Sequence, residues 1–144
     1  MAESLGPVRR RAQRQRQLGA DARCAACGEA DVLVLYRVAG AIVCARCRRL
    51  ARGESPLEAN HPFGRANSAV TIPTDPNLHA RWTDSQHDWP AATLVNPTGD
   101  PLLALAAAVR AVLTYGDVLL PALERVAEHL ESEAADDPRD PHAP

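Results

Sequence analysis

Cys24 and Cys27 form one Cys-x-x-Cys pair and Cys44 and Cys47 a second, with 16 residues between them, and the 144-residue chain contains no other cysteine. No other feature constrains the fold as tightly, because a pair at this spacing wraps a short knuckle turn and two knuckles brought together make a tetrahedron of thiolates. Gly28 follows the first pair and suits the left-handed conformation that ends such a turn. Val32 to Val38 and Ala41 to Val43 are β-prone and meet at Ala39-Gly40, so the spacing predicts a hairpin that carries one knuckle to the other. In a reducing compartment four cysteines read as metal ligands before disulfides, and the expected occupant is Zn2+, weighed against a redox dithiol pair or free thiols. A closed four-cysteine site keeps no open coordination position, so the ion would stabilise the fold and take no part in chemistry. Such support is needed, because only 3% of the residues are aromatic and the hydrophobic core is correspondingly small.

Charge is divided unevenly along the chain. Residues 1–65 carry twelve arginines against six acids and residues 66–144 four arginines against twelve acids, which together give the net charge of −2. The front half is therefore expected to meet an anion, and the rear half to solubilise the chain or contact another partner. Val8 to Leu18 is helix-compatible, with Pro7 suited to a first turn and Gly19 to a stop, but has almost no apolar face. It reads either as a solvated tail or as a basic arm that orders on nucleic acid. Arg46, Arg48, Arg49 and Arg52 follow on a short helix and extend the basic surface, or are a solvated face. No apolar run reaches membrane-spanning length, and no apolar stretch follows the arginine-rich start as in a secretory signal, so no membrane association and a cytoplasmic location are expected.

Prolines at 56, 62, 73, 76 and 90 break long helices in the next segment. Leu57 to His61 and Val70 to Ile72 are strand-like, and Asp75-Pro76 is a helix start with Asp75 as N-cap. The order is strand, glycine-containing loop, strand, helix, with His61 ending the first strand and His79 in the first turns of the helix. Trp82 and Trp89 read as core residues of this unit.

These residues, NHPFGRAN followed by IPTDPNLH, together with the paired Cys-x-x-Cys motifs, resemble the HNH endonuclease family over roughly residues 24–90. The resemblance implies a ββα-metal fold with Mg2+ or another divalent ion beside a structural Zn2+. His61 would be the general base that activates water on a phosphodiester of DNA, and His79 a ligand of the catalytic ion. Asn77, or in its place Asn67, would hold the loop and so orient the base. Arg65 would contact the phosphate. Asn60 stands where the family carries Asp or His as a second ligand. The alternative is a catalytically inactive zinc-binding protein that binds nucleic acid or acts as an adaptor.

From Leu102 to Leu130 aliphatic residues recur at three- and four-residue steps, and Gly116-Asp117 with Pro121 predicts a division into helices near 101–115 and 117–133. These pack on the front of the chain, pair two chains as a homodimer, or dock a protein partner, in which case an apolar strip from Leu105 to Leu130 is exposed. The expected class is α+β: a basic arm (1–20), a zinc module with a ββα unit (21–95), C-terminal helices (96–135) and a disordered tail (136–144).

Overall fold

Two short antiparallel hairpins, each leading into a helix, form the front of the molecule in a computed structural model that describes residues 6–135. The order is α1 (Gly6–Leu18), a single 3-10 turn (Val32–Val34), β1 (Leu35–Val38), β2 (Ala41–Cys44), α2 (Ala45–Leu50), β3 (Glu58–Asn60), β4 (Ile72–Thr74), α3 (Pro76–Gln86), α4 (Ala91–Val95) and α5 (Pro101–Ala135). The fold is α+β, as the sequence leads one to expect. The tail at 136–144 lies outside the described residues.

β1 pairs with β2 in the register Leu35 opposite Cys44 and Val38 opposite Ala41, and the turn between them places Ala39 at φ 47° and Gly40 at φ 84°. Two consecutive left-handed residues are what a tight turn between right-twisted strands requires. Val32 to Val34, expected to begin the strand, is wound into the 3-10 turn because Asp31 caps it, its carboxylate accepting from the Leu33 amide. β3 pairs with β4, Glu58 opposite Thr74 and Asn60 opposite Ile72, and α3 starts as the sequence predicts, with Asp75 accepting from the amides of Asn77 and Leu78.

The described residues form two cores. The first joins Ala22, Cys24, Val34, Leu35 and Cys44. The second joins Trp82, Trp89, Ala107, Ala111 and Tyr115, with the Trp82 and Tyr115 rings edge to face at 4.1 Å. The two tryptophans therefore close the domain.

The arginine-rich α1 is anchored to the rest of the chain. Arg10 bridges Asp84 and Asp88 through contacts of 2.7–3.2 Å, and Arg11 pairs with Asp31. Asp88 and then Asp84 hold the Arg10 proton still more firmly than usual. One expectation is overturned at the other end: residues 101–135 form one continuous helix, without a break at Gly116-Asp117 or Pro121. Glycine is tolerated within a helix, and Pro121 loses one backbone hydrogen bond on an exposed surface, where a helix bends around proline without ending. No described helix is long and apolar enough to cross a membrane.

Candidate functional site

The four cysteines converge. Their sulfur atoms all lie within 4.8 Å of one another, and Cys27 Sγ and Cys44 Sγ are 3.7 Å apart. That is far beyond a disulfide bond, and close to the ~3.8 Å edge of a tetrahedron with Zn–S bonds of about 2.3 Å. Each knuckle is built locally. In the first, the Gly28 amide donates to Cys24 O at 2.8 Å, and Gly28 takes φ 79°. In the second, Cys44 caps α2 by accepting the Cys47 amide on its sulfur at 3.4 Å. The Ala25 amide donates to Ile42 O and ties the first knuckle to β2. Burial opposes charge on Cys24, but the backbone amides of Cys44, Ala26 and Cys27 outweigh it and bring the thiol down to about 6. Burial and the neighbouring sulfurs push Cys47 up. A site that favours the first thiolate and resists several adjacent ones suits a divalent cation, which would neutralise them. These residues could hold a metal ion such as zinc.

Beside this cluster lies a cleft of about 350 Å³ framed by α1, α2, β3 and α3. Arg14 and Arg48 both approach the Tyr36 ring, with their guanidinium carbons 5.5 and 5.3 Å from its centroid. Among the described residues neither is paired with a carboxylate, whereas Arg49 and Arg52 share Glu54 at 2.9 and 2.7 Å. His79 opens into the same cleft, and its Nδ1 lies 2.7 Å from Glu58 Oε1. An imidazole N–H that donates to a carboxylate leaves Nε2 as the acceptor.

The other candidate residues are distributed between different neighbours. Asn60 is buried and its amide donates to the Tyr115 hydroxyl on α5 at 3.5 Å. The His61 carbonyl accepts from Gln86 at the end of α3, seven residues beyond His79 and about 10 Å further along the helix. His61 Nδ1 is buried without a hydrogen-bond partner. Arg65 is exposed. Asn77 turns to the cysteine module, accepting the Arg46 amide at 3.0 Å. Asn67 instead holds the loop after β3: its amide donates to Phe63 O and Thr93 O at 3.1 and 2.8 Å, and its oxygen accepts from Asn96 at 2.9 Å.

Sequence reasoning did not single out Glu58, Tyr36 or Arg14. Glu58 and Tyr36 each sit on a short strand, and their partners lie 9 to 22 residues away, with no local pattern to mark them. Comparison with protein-family models, with curated proteins and with solved structures finds no match. The likeness to HNH endonucleases therefore rests on the residues alone.

Proposed function

We propose that the chain is a zinc-stabilised nucleic-acid-binding protein whose cleft grips the phosphate backbone. One observation supports this reading: the guanidinium carbons of Arg14 and Arg48 lie 5.5 and 5.3 Å from the Tyr36 ring centroid, and among the described residues neither is paired with a carboxylate, whereas Arg10, Arg11, Arg49 and Arg52 are. Guanidinium groups braced on an aromatic ring are preorganised to meet phosphate. Binding would release counterions, so affinity should fall steeply with salt. The test is fluorescence polarisation with single- and double-stranded DNA and RNA over a salt series. Arg14→Ala and Arg48→Ala should each weaken binding to all sequences and reduce the slope of log K against log salt by about one. Absence of binding to every probe at low salt refutes the reading.

A second reading, a metal-dependent endonuclease acting on DNA, is favoured by the strand-loop-strand-helix order from Glu58 to Gln86 and by the Glu58–His79 pair. A carboxylate behind an imidazole is the usual arrangement of a histidine that ligates a metal. On this reading His61 is the base, His79 holds Mg2+ or another divalent ion, and Asn67 orients the loop. Nicking of supercoiled plasmid with added Mg2+, Mn2+ or Ni2+, lost in His61→Ala and His79→Ala, distinguishes it from binding alone.

A further inference from the structure

We infer that α5 is a dimerisation helix, pairing antiparallel with α5 of a second copy of this chain along the face it turns away from the domain. The face that meets the domain is short: Ala107, Ala111 and Tyr115 are buried against Trp82 and Trp89. From Val118 onward every described side chain is exposed. On the opposite side runs a strict seven-residue repeat, Leu102, Val109, Gly116, Leu123 and Leu130, with a companion series beginning at Leu105 and repeating to Val126. Among the described side chains of the two series, the aliphatic ones are 53–73% exposed.

The period identifies what covers the strip. A helix packed on a flat surface follows 3.6 residues per turn, whereas a repeat of 3.5 drifts by about 20° per heptad and stays on one face only when two helices supercoil. Four heptads would therefore drift by about 80° unless a partner helix followed the seam. Seven described aliphatic side chains left more than half exposed over four heptads form a contiguous apolar strip of the kind that marks an interaction surface.

Charge selects the partner and its direction. The first third of α5 contains no acid and carries Arg110, while in the last third Glu124, Glu128 and Glu131 outnumber Arg125. A parallel pair would stack the acidic thirds on each other. An antiparallel pair sets each against the acid-free third of its partner and opposes the two helix dipoles. In that register Leu105 meets Leu130, Val109 meets Val126, and Val112 meets Leu123 across the pair, with Gly116 near the centre. The acidic last third also repels an anionic lipid surface, which argues against membrane docking. Pro121 lies outside both series, on the back of the seam.

Sedimentation equilibrium of the full metal-loaded chain over a micromolar concentration series tests this. The expected mass is twice the 15.5 kDa of one chain. Leu105→Lys and Leu130→Glu should each give a monomer, and their equimolar mixture and the double variant should recover the dimer, because the two positions face each other only in the antiparallel pair. Metal content and tryptophan emission, which report on the cores away from the seam, should stay at wild-type values throughout. A wild-type chain that remains monomeric at high micromolar concentration overturns the inference, whether or not it binds lipid vesicles or another protein. A wild-type dimer whose double variant stays monomeric overturns the antiparallel arrangement.

Discussion

Removing the metal should unfold the cysteine module and leave the tryptophan core largely in place. Among the five buried members of the first core, Val34 and Leu35 are the large aliphatics and two others are the cysteines themselves, with Leu18, Ile42 and Val43 only partly buried against them. Burying Val34 and Leu35 contributes roughly 1.5–3 kcal/mol each. A four-thiolate zinc site contributes apparent binding energies of ~10–16 kcal/mol at neutral pH, as much as the whole stability of an ordinary domain. Without an ion, the four sulfurs within 4.8 Å of one another are held only by a few backbone hydrogen bonds such as that from the Ala25 amide to Ile42 O. Hydrogen exchange read by mass spectrometry, before and after a chelator has been shown to take up the metal, is the appropriate assay. The Ala25 amide bonded to Ile42 O and the β1–β2 ladder should lose their protection together. Tryptophan emission should change little, because Trp82 and Trp89 both belong to the second core. If β1–β2 amides keep their protection in protein proven metal-free, the reasoning fails and the apolar contacts of the first core suffice without the ion.

Arg10→Ala removes the guanidinium that bridges Asp84 and Asp88, two partly buried carboxylates four residues apart, and should cost about 1–2 kcal/mol in urea unfolding; a change below ~0.5 kcal/mol would show that α1 is held by other contacts. Tyr115→Phe removes a hydroxyl that donates to Pro62 O at 3.1 Å and accepts from Gln86 and Asn60, and should cost about 1–2 kcal/mol at neutral pH. The same residue sets an alkaline limit. Burial raises the Tyr115 phenol above its usual value of 10.0, so its contribution is complete below that pH and is lost as pH rises through the higher folded value. The chain has no lysine to obscure this window, so unfolding monitored above pH 10 should be less pH-dependent in Tyr115→Phe than in wild type. Asn67→Ala should release the loop that follows β3 and raise its exchange rate, while Asn77→Ala should loosen the second knuckle instead.

Features fixed by neighbouring residues were legible in the sequence. The cysteine spacing, the Ala39-Gly40 turn and the Asp75-Pro76 start depend on residues a few positions apart, and each is found where expected. What escaped depends on distant partners. Arg10 meets acids 74 and 78 residues away, Asn67 is fixed by Thr93 and Asn96, and nothing near Glu58 announces His79. Asn77 and Asn67 are chemically equivalent until the fold directs one to Arg46 and the other to Phe63. At Gly116 and Pro121 a local rule misled: both residues disfavour helix, but the aliphatic repeat on either side continues through them.

α3 resists a two-faced reading because it has four faces. Asn77 and Arg81 meet the cysteine module and its acids Glu29 and Asp31, Leu78 and Trp82 meet α5, Ala80 and Asp84 meet the first core and α1, and His79, Thr83 and His87 line the cleft. Each set is spaced by four residues, so each is one stripe of the helix. The arrangement ties the cleft to the cysteines. Arg48 immediately follows Cys47 on α2, and α2 is capped by Cys44 and braced by the bond from the Arg46 amide to Asn77. An ion held by the four sulfurs would therefore set the position of Arg48 over Tyr36 without touching any ligand of the cleft. Metal removal should then weaken nucleic-acid binding and lower its salt slope toward that of Arg48→Ala, and re-addition of Zn2+ should restore both. Binding with an unchanged salt slope in metal-free protein would mean that the cleft does not carry the phosphate contacts.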